Sequence, residues 1–147
     1  MKNIERKILK LQKKKERLQK DKLKNNEEIK KCDEMIEEYQ KEYNHQLLLM
    51  YINNKEINNW YTENADEKNM SMMQLVKAKK QLFMLNSQSE KIICESASIQ
   101  NEISCLIRKK RILELVNVEI EYKIFDIGEE INNIKQTTKQ KVYKRSI

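Results

Sequence analysis

Counted in alternating steps of four and three from Ile4, the chain carries an apolar or aromatic residue at twelve of seventeen positions up to Trp60: Ile4, Ile8, Leu11, Leu18, Ile29, Cys32, Ile36, Tyr39, Tyr43, Met50, Ile57 and Trp60. A second count, from Leu75 to Thr138, finds fourteen of nineteen. A mean spacing of 3.5 residues marks helices that bury one narrow stripe against a partner helix, and its persistence implies a left-handed supercoil. Steps continued from Trp60 miss Leu75, so the two stripes do not share one frame. Nothing in the composition opposes long helices: the 147 residues include no proline and a single glycine.

Between the stripes lies the asparagine-rich stretch "INNKEINNWYTENADEKNMS". Asparagine tolerates turns and caps helices, and Asn53-x-x-Glu56 and Ser71-x-x-Gln74 have the spacing of capping boxes. The chain is therefore expected to be all-α, a long antiparallel two-helix coiled-coil hairpin forming one domain over 1–147. Arm one covers about 2–55, the turn falls within 53–70, and arm two covers about 66–138 with a frayed C-terminal tail. At the helical rise, arms of that size are roughly 80–120 Å long. The competing fold is one continuous helix paired with a second copy, and the polar gap between out-of-frame stripes counts against it.

Polar residues interrupt the seam: Lys15, Lys22 and Asn25 in the first stripe; Ser89, Ser96, Lys110 and Asn117 in the second. Such residues fix register at a cost in stability. Charge is segregated as well. Residues 1–31 hold thirteen Lys/Arg against five Asp/Glu, whereas residues 33–67 hold two against nine. A hairpin returns the "RKKR" of Arg108, Lys109, Lys110 and Arg111, and the tail lysines, toward the basic N-terminal arm. Such a basic end steers acidic partners. Nucleic acid is not the expected partner, because the basic segment lacks both a base-reading helix pattern and interleaved aromatics.

Other classes of function find no support. There is no Gly-rich phosphate cradle, no HExxH and no Cys/His cluster, and the lone His45 lies off the seam. A two-helix seam offers no pocket to desolvate a carboxylate pair or to hold a small-molecule substrate, so neither enzyme activity nor a cofactor is expected. Cys32, Cys94 and Cys105 read as reduced thiols in a cytoplasmic chain. The longest apolar run is the six residues Leu47–Ile52, too short for a bilayer, and the first twenty residues do not read as a secretory signal.

Two apolar faces exceed what one seam needs. One comprises Leu47, Leu48, Leu49, Tyr51 and Ile52, with Phe83 and Met84 across the hairpin. The other is the heptad-spaced set Leu115, Val118, Tyr122 and Phe125. Exposed apolar faces mark protein contacts; the bland alternative is that they pack within the chain or in a dimer.

The motif Tyr-Gln-x-Glu-Tyr at residues 39–43, followed by Trp60 beyond an Asn-rich break, resembles the flagellar export protein FliJ and its injectisome relatives YscO and SpaM/InvI. Length, two-helix layout and charge also match that family. The turn-side segment "ADEKNMSMMQLVKAKK" departs from it, with methionines where the family has further aromatic and histidine contact positions. The resemblance implies a cytoplasmic stalk at the base of a type III secretion apparatus, with a fold like the coiled coil of a rotary ATPase γ subunit. It implies that the end bearing the termini docks in a hexameric secretion ATPase, through Lys13, Lys14, Arg108, Lys109, Lys110 and Arg111. The turn end would meet the export gate membrane protein through Tyr39, Tyr43 and Trp60, with Trp60 also bracing the turn, and export chaperones would be further partners. Alternatives of other classes are a homodimeric coiled-coil scaffold and a non-specific nucleic-acid binder.

Overall fold

The computed structural model describes residues 2–146 and contains two long helices packed against each other, an all-α helical hairpin. Helix α1 runs Lys2–Glu63, and helix α2 runs Met72–Ser146. A short 3-10 turn, Glu67–Asn69, lies between them. All seventeen stripe positions of α1 and all nineteen of α2 are buried or half-buried. Among the described side chains of these helices, only Glu28, Leu49 and Gly128 outside the stripes are not exposed. The 3.5-residue pattern therefore accounts for nearly the whole interface. Among the described residues there is no other layer for these side chains to pack on, and the most buried apolar residues, Cys32, Trp60, Ile92, Ile120, Ile127 and Ile131, all belong to the stripes.

Packing divides the chain into two units. In the first, residues 2–33 of α1 pair with 108–146 of α2. Lys22 donates to Glu121 at 2.5 Å and Lys110 meets Asp33 at 2.7 Å, so eleven residues forward on α1 match eleven backward on α2. That is antiparallel pairing. Between those two ion pairs, Asn25 Nδ2 donates to Asn117 Oδ1 at 3.0 Å, and Asn117 Nδ2 donates to Asn26 Oδ1 at 2.9 Å. Asn117 is only 8% exposed, and leaving its amide unpaired there costs about 1–3 kcal/mol, so a slipped register is penalised.

The second unit comprises residues 34–107 and contains the turn. Its polar layer is Asn53, 2% exposed, whose Nδ2 donates to Ser89 Oγ and to the Leu85 carbonyl at 3.1 Å. Asn53 therefore does not cap a helix: α1 continues ten residues beyond it, to Glu63, past the residue-55 boundary suggested by the asparagine cluster. The Ser71 box does form. Gln74 N–H donates to Ser71 Oγ at 3.2 Å, and Ser71 N–H donates to Gln74 Oε1 at 3.1 Å, which starts α2 at Met72. At the other end α2 continues to Ser146, beyond the expected limit near 138.

Gly128 sits inside α2 with helical backbone and nothing within 4 Å of an added Cβ. Glycine costs backbone entropy in a helix interior without any steric need for it here. Gly128→Ala is expected to raise the unfolding free energy by about 0.5–1 kcal/mol. Urea denaturation followed by circular dichroism checks this, and an unchanged or lowered midpoint would contradict an uninterrupted α2 at this position.

Candidate functional site

The turn is built around Trp60. Its indole is 7% exposed, and Nε1 donates to the Ala78 carbonyl at 2.8 Å. Alanine at 78, a stripe position, leaves the indole room to reach that carbonyl. Tyr61 stacks edge-on against the indole, with centroids 5.0 Å apart at 88°. Asn64 then closes α1: its backbone N–H and its side-chain Nδ2 both donate to the Trp60 carbonyl, at 3.0 and 2.8 Å. Trp60 thus ties the end of α1 to the start of α2. The same burial removes the ring from the surface, so it braces the turn and offers little to a partner.

Tyr39 and Tyr43 lie in the seam, half-buried. The Tyr43 hydroxyl accepts a hydrogen bond from Gln100 Nε2 at 2.9 Å. Gln100 was not singled out by the heptad count, since it lies beside Ile99 and off the stripe; only the register across the hairpin brings it to Tyr43. Around the turn, apolar side chains reach solvent: Leu48, Tyr51, Met72, Met73, Val76, Phe83 and Met84 are all exposed. Leu47 and Ile52 are exposed as well, while Leu49 is half-buried.

The basic residues divide into separate groups within the first unit. Lys7, Lys10, Lys13, Lys14 and Arg17 are exposed on one face of α1, along nearly three turns of the helix. Arg108, Lys109 and Arg111 are exposed on α2, whereas Lys110 is a half-buried stripe residue held by Asp33 and, at 3.9 Å, by Glu114. Lys110 pairs with Asp33, twenty residues along α1 from Lys13, and at the helical rise that is roughly 30 Å. The structure therefore does not bring Lys13 and Lys14 to Arg108–Arg111. The tail does come back to the start of α1: Lys135, Thr138 and Lys139 line one groove with Ile4, Glu5 and Ile8.

Leu115, Val118, Tyr122 and Phe125 are exposed on α2, left uncovered by the other described residues. Among the described residues no group of three His, Cys, Asp or Glu side chains is placed to hold a metal, and no helix is long and apolar enough to cross a membrane. Comparison with protein-family models, with curated proteins and with solved structures returned no match.

The Lys110 ammonium is held above its ordinary value of 10.5, chiefly by its hydrogen bond to Asp33. A raised folded-state value means that the contribution is present below pH 10.5 and lost as pH rises through the higher value. Melting temperatures followed upward from roughly pH 10 should fall more steeply for the wild type than for Asp33→Asn. A second expectation concerns the brace. Trp60→Ala should cost about 3 kcal/mol, and Trp60→Phe, which loses chiefly the hydrogen bond to Ala78, about 1 kcal/mol. Equal losses in chemical denaturation would show that the ring's volume is immaterial.

Proposed function

We propose that this chain is a central stalk of a type III secretion apparatus, linking a hexameric secretion ATPase to the membrane export gate. The observation that supports this reading is the division of charge between the two packed units. The unit holding both helix ends carries 23 Lys/Arg against 12 Asp/Glu, a net of +11. The unit holding the turn carries 7 against 11, a net of −4. Solubility alone needs charge but not its separation.

In this reading the exposed α1 cations Lys7, Lys10, Lys13, Lys14 and Arg17 meet acidic surface in the ATPase ring. Arg108, Lys109 and Arg111 form a second contact further along, and Lys110, engaged by Asp33, contributes least. Tyr39 and Tyr43 present the half-exposed edges of their rings to the gate, while Trp60 acts indirectly by holding the turn. The exposed methionines beside the turn suit contacts with more than one partner, export chaperones among them, because the unbranched thioether adapts to different surfaces.

The decisive assay uses purified secretion ATPase. Lys13→Glu with Lys14→Glu should reduce its stimulation severalfold, Arg108→Glu with Lys109→Glu should reduce it less, and neither pair should lower helicity. Stimulation that survives both reversals would exclude the basic unit as the docking surface. Tyr39→Ala with Tyr43→Ala should weaken binding to the cytoplasmic part of the gate and leave ATPase stimulation intact.

A further inference from the structure

The face of α2 turned away from α1 carries a second heptad stripe. Leu113, Asn117, Ile120, Ile124 and Ile127 face α1 and are buried or half-buried. Leu115, Val118, Tyr122 and Phe125 follow one another at steps of three, four and three on the opposite side of the same helix. They are 69%, 47%, 69% and 62% exposed. The outer face of α1 in the same unit has nothing comparable: its sequence there is Arg6, Leu9, Lys13, Glu16, Lys20, Leu23, with only two isolated leucines. A stripe with this spacing is the surface that one helix offers to another.

The residues beside the stripe say what kind of helix. Glu119 and Asp126 flank it on one side, Glu114 and Glu121 on the other, and all four are exposed. Glu121 reaches Lys22 yet its side chain remains 57% exposed. Positions flanking an apolar stripe choose the partner through charge. A second copy of this chain is a poor occupant in either orientation. Parallel pairing sets Glu114 beside Glu119 of the copy and Glu121 beside Asp126. Antiparallel pairing about residue 120 does join Arg111 to Glu129, but it places Glu119 and Glu121 each beside its own copy.

We infer that this face docks an amphipathic helix of another protein, one whose apolar heptad stripe is flanked on both sides by Lys or Arg. The docked helix covers Leu115, Val118, Tyr122 and Phe125, and its cations meet the acidic rims. This surface is distinct from the seam and from the α1 cations, so it stands whether or not the stalk reading does.

The test uses the full chain and a fluorescent three-heptad helical peptide with leucine at the stripe positions and lysine at both flanks. A control peptide carries glutamate at the flanks. Leu115→Gln with Tyr122→Gln is the chain variant; both sites face solvent, and glutamine keeps helix propensity. Fluorescence anisotropy should show the lysine peptide binding the wild type about tenfold or more tightly than the variant. Binding should weaken as salt rises, and the glutamate peptide should not bind. Equal binding to wild type and variant would overturn the inference, because the acidic turn unit would then be capturing the peptide. Equal binding of both peptides would overturn the charge assignment. A wild-type dimer in sedimentation equilibrium that the variant abolishes would give the face to a second copy instead.

Discussion

One stripe per helix carries nearly all the packing between the two helices, and that constraint shapes everything else. A globular core surrounds a buried residue with neighbours from several elements; here each stripe residue meets only the facing helix. Hydrophobic burial per residue is correspondingly small, which is why most stripe positions are half-buried and only a few fall below a tenth exposed. Polar residues in the seam then weigh heavily. Asn25, Asn26 and Asn117 in one unit, and Asn53 with Ser89 in the other, satisfy hydrogen bonds that a slip of the helices would break. They make the pairing specific and keep it from being strong.

The same economy leaves most of the chain's chemistry on its surface. Among the described residues there is no interior beyond the seam in which to desolvate an acid or base, and the raised titration of Lys110 comes chiefly from its hydrogen bond to Asp33. What stands out among the described residues is a set of patterned faces. Three are distinct: the α1 cations of the unit that carries the helix ends, the methionine- and aromatic-bearing surface around the turn, and the acid-rimmed apolar stripe on α2.

Particular residues show where reading the sequence succeeded and where it stopped. The four-three count named nearly every seam position, because burial in a two-helix pair depends chiefly on angle around the helix axis, and that angle follows from position in the chain. Asn53 was legible in two ways, as a stripe member and as a helix cap; the stripe prevailed because Ser89 and the Leu85 carbonyl stand opposite its amide. For Ser71 and Gln74 the capping pattern held, since both partners are local. Tyr43 with Gln100 and Lys110 with Asp33 could not be read, being pairs between helices whose relative register no local rule supplies.

The sequence by itself determined the two helices, the stripe each would bury, the segment in which they reverse and the segregation of charge, because all of these follow from periodicity and composition along one dimension. Only the tertiary structure decided which residues stand opposite one another. It made Trp60 a buried brace by setting it against Ala78, and it separated Lys13 and Lys14 from Arg108–Arg111 by setting Lys110 against Asp33. It also left Leu115, Val118, Tyr122 and Phe125 uncovered. The physical reason is that a heptad stripe specifies a face but is nearly indifferent to sliding, so register comes from the few polar contacts that form only when both helices are in place.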